Sequence, residues 1–521
     1  MNRYAQKKFL PHRKLENTRD TNGKKMIHLK SKTDVLNLGK FDQKEDAFHI
    51  YNYLRKKFSL DVKDAFLLES LGINPIDSKE SVIGIKPVVK LDIIGSNIFI
   101  EGASPLVDNI LSSLSDSYGS TTLDSNVITM KRKSDVWDFI RYLEKLFKAT
   151  GDNRERGTLF FGYFGYDTIY YIEELPQRHT GTKNLPDISL SLYQHILTLG
   201  GEAAYLTTYE YEESNCHDSM LQALTHVVPP LDQSVVNSKG QFSFQFETDK
   251  ESYLKKVKKA LSYVEIGDIY QVQIGQKLMV NSDRSPEDVY QSLRHLNPSP
   301  YMYLFGVGDT VVVGASPELF VRTNSSEVLM RPIAGTLGKH QVRHKEEATK
   351  HLHGNEKEVA EHLMLVDLCR NDLHKVCEPA SVEVSDLLSI EEYSHVFHMV
   401  SSTRGTLEKD LDKIDLIRAT FPAGTMTGAP KIRAIEIIDE LEDSNRGIYA
   451  GAIGLIGFGS QFVNTALCIR TATCKSSTYS LRASAGIVSD SDEESEYFET
   501  VHKLSSMFKA ITGEELSCQL K

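Results

Sequence analysis

Two Glu-x-x-Glu pairs, Glu358/Glu361 and Glu496/Glu499, lie far apart in the chain, each on a segment that reads as helix. Carboxylates three apart share a helix face. Two such pairs brought together would supply the hard oxygen ligands that Mg²⁺ accepts while it keeps water and a substrate oxygen. Glu pairs also decorate ordinary solvated helix faces, so their surroundings matter. Glu361 runs into the apolar stretch Leu363, Met364, Leu365 and Val366, where a helix would pass from exposed to buried. Glu496 follows a glycine-bearing strand, Ala485-Gly486-Ile487-Val488, and Ser491 with Glu494 reads as a capping box opening the next helix. The core stripe of that helix is Tyr497, Val501, Leu504, Phe508 and Ile511, with Glu496 and Glu499 off it.

Other groups could do chemistry nearby. The loop Gly424-Thr425-Met426-Thr427-Gly428-Ala429-Pro430 precedes the helical run Ile432, Ile435, Ile438 and Leu441. Pro430 suits a first helical turn, and a glycine loop at a helix start is either an anion site or a plain helix entry. Tyr449 and Arg470 stand on strand-like runs. His398, in Val396-Phe397-His398-Met399-Val400, reads as a satisfied core residue or, as a neutral imidazole in apolar surroundings, a base. Glu318 follows a strand end, where burial raises a carboxyl's pKa and makes it an acid. The glycine-rich run Gly447 to Gly459 is a candidate substrate wall or a tight packing seam.

These groups need a scaffold, and the chain is long enough for two domains or one large α/β body at 521 residues. Apolar residues at 40% and charged residues at 25% describe a globular protein. A formal charge of −11 and the lack of a basic stripe argue against nucleic acid as partner. Six cysteines, Cys216, Cys369, Cys377, Cys468, Cys474 and Cys518, show neither metal-site nor disulfide spacing, which fits a reducing cytoplasm. No run is apolar enough to cross a membrane as a helix. Residues 1–33 read as a basic extension or a transit peptide. An N-terminal region follows over 34–230, then a polar turn-rich boundary from Val227 to Lys250, then a catalytic region over 245–515. From Asp249, the spacing of Tyr253, Val257, Leu261 and Val264 predicts a helix, and Val311 to Gly314 a strand.

Long motifs carry a resemblance. The order Gly267-Asp268-Ile269-Tyr270-Gln271, GASPE (314–318), PIAGT (332–336), EHLMLVDLCRND (361–372), GTMTGAPKIRAIEIIDELE (424–442) and ASAGIVSDSDEESEYFET (483–500) resembles the chorismate-utilising enzymes. Within them it is most similar to the anthranilate synthase component I branch. LLES (67–70), GYFGYD (162–167) and NPSPYMY (297–303) extend the resemblance to the N-terminal half.

The resemblance implies an α/β (α+β) fold of two facing antiparallel β-sheets flanked by helices, with the site in the cleft and a smaller regulatory region. It implies chorismate bound with its ring carboxylate on Mg²⁺, which Glu361 and Glu499 hold directly and Glu358 and Glu496 hold directly or through water. Glu318 would protonate the departing 4-hydroxyl, and His398 would take the carbon 2 proton as pyruvate is expelled, giving anthranilate. Tyr449 and Arg470 would hold the enolpyruvyl carboxylate, Thr425 and Thr336 (after Gly335) would orient the ring, and Ser484, Ala485 and Gly486 would form the carboxylate turn. Gln271 stands where water-adding members carry a lysine base, and Ala334 where a covalent lysine stands in carbon 4 aminating members, so the implied nucleophile is ammonia and the implied position carbon 2. No Gly-x-Cys-x-Gly elbow is present, so a glutamine amidotransferase partner is implied. Glu69 or Ser70 would meet the ammonium of feedback-inhibiting L-tryptophan, with Pro298, Tyr301 and Met302 around its indole.

The resemblance leaves two rivals: an aminodeoxyisochorismate or aminodeoxychorismate synthase, and a tryptophan-sensing subunit without catalysis. Departures from the family pattern are Leu337 in place of the Arg of GTR, Gln271 to Lys277 in place of QVVLSQR, and Ser484 in place of a common glycine. They predict a reorganised charge near the entrance.

Overall fold

The structure, a computed structural model, describes residues 27–36, 46–71, 80–122, 126–151, 156–179, 181, 183–200, 203–211, 216–227, 241–393 and 396–520. Its strands form one large curled sheet, antiparallel throughout except where Ile27–Leu36 runs parallel to Phe147–Gly151. The long strand Ile188–Gly200 is where the sheet divides.

From one edge a branch runs through Glu80–Ile94, Ala65–Glu69, Tyr301–Val307, Thr310–Ser316, Thr471–Lys475 and Thr478–Ile487 to Gln271–Ser282 and Phe242–Phe246. From the other edge a second branch runs through Thr158–Phe164, Ala452–Phe458, Val463–Leu467, Leu319–Asn324, Glu327–Met330 and Val396–Thr406, which also pairs with Ile333–Gly338 and Glu383–Glu392. These branches are the two facing sheets that the resemblance implies. They share N-terminal strands, so the regions on either side of the 227–250 boundary are knit by backbone hydrogen bonds. Residues 228–240 of that boundary lie outside the described residues.

Several local expectations are refined. The N-terminal extension ends before residue 33, because Ile27 and Leu29 are buried in a paired strand; residues 1–26 lie outside the described residues. The helix expected from Asp249 is Lys250–Glu265, with the Asp249 carboxylate accepting from Ser252 N–H, a cap worth about 1 kcal/mol. Asn355 caps the Glu356–His374 helix through the N–H groups of Lys357 and Glu358. This helix does not simply pass from exposed to buried after Glu361, since Leu363 is 40% exposed while Leu365 and Val366 are buried; one stripe turns inward. The Glu493–Thr512 helix is capped by Asp492 rather than Ser491, whose hydroxyl instead accepts from Val488 N–H. Its stripe of Tyr497, Val501, Leu504, Phe508 and Ile511 is buried as expected.

The glycine loop before Lys431–Leu441 is not an open anion cradle. Gly428–Ala429 pairs with Gln271–Val272, and Pro430 is the helix cap rather than a first-turn residue. A Cβ on Gly428 would fall 2.1 Å from the Gln271 carbonyl oxygen, which explains the glycine. The Met426 and Thr427 N–H groups are spent on Ala423 and Gly424. The Gly447 to Gly459 run is a packing seam, with a Cβ on Gly454 falling 2.0 Å from Asn464 O. Its strand also forms one wall of the cavity described below.

Candidate functional site

The far end of the cleft gathers side chains from both branches and two helices. Gln271 is fully buried, and its Nε2 donates to Glu361 Oε1 at 3.2 Å. Strand register places Gly486 opposite Gln273. A methyl on Gly486 would lie 2.7 Å from Gln271 Nε2, 2.9 Å from Gln273 Nε2 and 3.6 Å from Glu361 Oε1. Glycine here therefore leaves room between two amides and a carboxylate. Ala485 is buried beside it. On the opposite branch Thr336 Oγ1 lies 3.0 Å from His398 Nδ1, and the Glu358 carboxylate comes up against Gly335, 3.2 Å from where a Cβ would stand.

The carboxylates feel one another. Burial raises the Glu361 pKa to about 7, with the charges of Glu358 and Glu499 adding to it. Burial and Glu499 likewise raise Glu358, and burial, together with Glu499, raises Glu496 against a hydrogen bond from Ser491. A cation among them would relieve this repulsion. Among the described residues no three His, Cys, Asp or Glu side chains are gathered closely enough to cage a metal by themselves. An oxygen-only set that is partly open suits Mg²⁺, which is held by one or two carboxylates plus water and substrate; the residues present fit that ion.

Glu318 ends the link between Thr310–Ser316 and Leu319–Asn324, and so sits where the chain crosses from one branch to the other. Burial pushes its carboxyl up to about 8, against the opposing pull of the Thr425 hydroxyl and the Lys503 charge. It therefore carries a proton at neutral pH. His398 is shifted the other way, to about 4, first by burial and then by the charge of Arg470. It is a neutral imidazole at pH 7, edge-on to Tyr393 with ring centroids 4.9 Å apart.

Arg470 takes a left-handed backbone, φ 51°, costly for a side chain of this size and maintained only where the surroundings fix it. Its guanidinium donates to Lys503 O at 2.6 Å. Tyr449 lies 2.7 Å from Ser484 Oγ, so its hydroxyl is engaged within the protein rather than held free for a ligand. Lys503, which sequence reasoning missed, donates to Ser484 O and pairs with Glu499. Its signal was the i, i+4 spacing from Glu499. Gln273 and Tyr393 were missed as well; Gln273 stands two residues from Gln271 on one strand face.

Two departures fall away from this site. Leu337 is buried in a satellite cluster with Leu352, Ile390, Phe397 and Met399. Lys277 pairs with Glu247 at 3.2 Å, six residues along the strand from Gln271.

Nearer the shared strands, the same cleft holds a cavity of about 520 Å³ lined by Ser70, Tyr301, Met302, Arg322, Gly454 and Asn464 among others. Pro298 is not among the lining residues; Pro300 is. Glu69 contributes to the wall, but its side chain is 0% exposed and accepts from Arg294, Tyr290 O–H and Phe48 N–H. It is therefore corrected from a candidate ligand to a buried structural anion, whose partner's loss would strand a charge. Among the described residues no helix is long and apolar enough to cross a membrane.

The family model described as chorismate binding enzyme matches residues 103–509. A 2-amino-4-deoxychorismate synthase of Streptomyces globisporus is 38% identical over 483 residues, covering 92% of this chain and 97% of that protein. Anthranilate synthase component 1 of Neisseria gonorrhoeae is 38% identical over 362 residues, 67% of this chain and 74% of that one. The crystal structure of anthranilate synthase component I from Streptococcus pneumoniae TIGR4 superposes with a TM-score of 0.69 at 29% identity, covering 82% of this chain and 92% of that one. With a match that spans most of its length and the fold to go with it, the chain belongs to the chorismate binding enzymes.

Proposed function

We propose that this protein aminates chorismate at ring carbon 2. The observation that carries the reading is Gln271: an amide bound to Glu361 occupies the place of a water-activating base, and an amide cannot deprotonate water. Ammonia needs no such base. As it bonds to carbon 2 the ring double bonds shift, the bond from carbon 4 to its hydroxyl breaks, and Glu318 gives its proton so that water leaves. The new ammonium then loses a proton, leaving 2-amino-4-deoxychorismate. Glu361 and Glu499, with Glu358 and Glu496, would hold Mg²⁺, which when bound supplies positive charge to the ring carboxylate. Arg470 offers the guanidinium for the enolpyruvyl carboxylate, and Thr336 and Thr425 would orient the ring.

Whether the reaction stops there separates two products. The Streptomyces relative, matched over 92% of this chain, favours release of 2-amino-4-deoxychorismate. The neutral His398 beside Thr336 favours the second reading, in which it takes the carbon 2 proton, pyruvate leaves and anthranilate forms. Ammonia would come from glutamine through a separate amidotransferase subunit. Burial pushes the Cys377 thiol up to about 11 and also raises Cys369, Cys468 and Cys474, so none of these is a ready thiolate. The cavity at Ser70, Tyr301 and Met302 is proposed to take L-tryptophan as inhibitor.

The test mixes the chain with chorismate, Mg²⁺ and an ammonium salt. A non-aromatic aminated product by mass spectrometry supports the first reading, and anthranilate fluorescence the second. Isochorismate or salicylate as main product would sink both.

A further inference from the structure

Among the polar groups of the cleft, three form a chain with a fixed direction. Ser484 Oγ donates to Gln273 Oε1 at 3.0 Å, and Tyr449 O–H lies 2.7 Å from Ser484 Oγ. A serine hydroxyl has one proton. With that proton on Gln273, the one between tyrosine and serine must come from Tyr449. Tyr449, expected to meet a substrate carboxylate, therefore has no proton left to give.

The chain delivers that donor capacity elsewhere. With its Oε1 anchored, Gln273 turns Nε2 toward Gly486, 2.9 Å from where a Cβ would stand. No protein acceptor among the described residues takes a hydrogen bond from this Nε2, whereas the neighbouring Gln271 Nε2 is spent on Glu361. All three members are buried, at 8% exposure or less. An amide N–H with no acceptor in the protein is free to donate to a ligand anion beside Gly486. Gln273 and Ser484 are also both positions at which the chain departs from the family pattern, and here they touch each other across paired strands.

We propose that Gln273 is a substrate-binding residue, donating from Nε2 to the ring carboxylate seated over Gly486, and that Ser484 and Tyr449 are positioning residues that fix its amide orientation. This rests on the chorismate reading above. It predicts that the chain reads the ring carboxylate with a neutral side-chain donor in addition to the cation.

The experiment is calorimetric binding of chorismate to the full chain with Mg²⁺ present and ammonium absent. Gln273→Met, which keeps length but has no donor, is expected to weaken binding about tenfold, as for a hydrogen bond to a charged group. Gln273→Glu, near-isosteric, should weaken it further by repulsion. Ser484→Ala should weaken it by a smaller factor, and adding Ser484→Ala to Gln273→Met should cost nothing more, because the orienting group then has nothing to orient. Thermal unfolding of each variant separates loss of fold from loss of contact, with Gln273→Glu read in place of Gln273→Met if the latter does not fold. Unchanged affinity in the Gln273 variants, or fully additive effects, overturns the proposal while the chorismate reading stands. Failure of the wild-type chain to bind chorismate overturns both.

Discussion

Lys503 Nζ lies 2.5 Å from the Glu499 carboxylate, one helical turn away, and 2.9 Å from the backbone oxygen of Ser484 on the strand behind it. The ammonium thus sits among the same carboxylates that are proposed to hold Mg²⁺. The two cations must compete for Glu499.

Lys503→Met is therefore predicted to lower the Mg²⁺ concentration needed for half-maximal turnover several-fold, measured by metal titration of the amination rate. Glu361→Gln and Glu499→Gln should instead reduce turnover on the order of 100-fold or more, the loss of several kcal/mol of charge stabilisation, with unchanged circular dichroism. EDTA should reproduce that loss. Full activity in the Glu361→Gln/Glu499→Gln double variant would remove the metal assignment.

Glu318 links stability to pH with a definite sign. Its folded-state pKa, about 8, lies above the unfolded value, so between the two the folded chain holds a proton that the unfolded chain has lost. Its contribution to stability is present at low pH and is lost as pH rises through about 8. Glu318→Gln should raise the melting temperature relative to wild type more at pH 8 than at about pH 5. In the wild type, amination should fall as the acid ionises, on the alkaline side of pH 8. A melting difference that does not change with pH would show that the carboxyl is ionised throughout.

His398→Met tests the elimination step. If the wild type forms anthranilate, the variant should accumulate 2-amino-4-deoxychorismate, because amination does not use the imidazole. If the wild type already stops at that compound, the variant should change the product little. Undiminished anthranilate output from His398→Met would return the residue to the core.

The cavity and the site are joined by backbone. Tyr301 pairs with Ser316, two residues before Glu318, and Met302 pairs with Ala315, whose N–H donates to Arg470 O. Tryptophan bound at Ser70 and Met302 is predicted to weaken chorismate binding, and chorismate to weaken tryptophan binding by the same factor. A Ser70 substitution should relieve inhibition without altering uninhibited turnover. Absence of heat on titrating tryptophan into the wild-type chain would count against the site.

Spacing alone made the two carboxylate helices, the His398 strand and the strand carrying Gly486 legible, because helix and strand periods are local properties of a sequence. The identity of Gln271 and the lack of a thiol elbow, both plain in the sequence, underlie the amination proposal. Other roles were settled by contacts between distant segments. Glu69 reads like a free carboxylate in LLES, but the fold encloses it with Arg294 and Tyr290, and burial leaves it no surface to offer. The glycine loop before Lys431 reads like an anion cradle, but strand pairing with Gln271 consumes it. Ser484 and Gln273 are 211 positions apart, and only the register of two paired strands makes one orient the other. A hydrogen bond's direction and a carboxyl's pKa depend on which groups lie within a few ångströms, and long-range strand pairing, unlike periodicity, leaves no local trace in the chain.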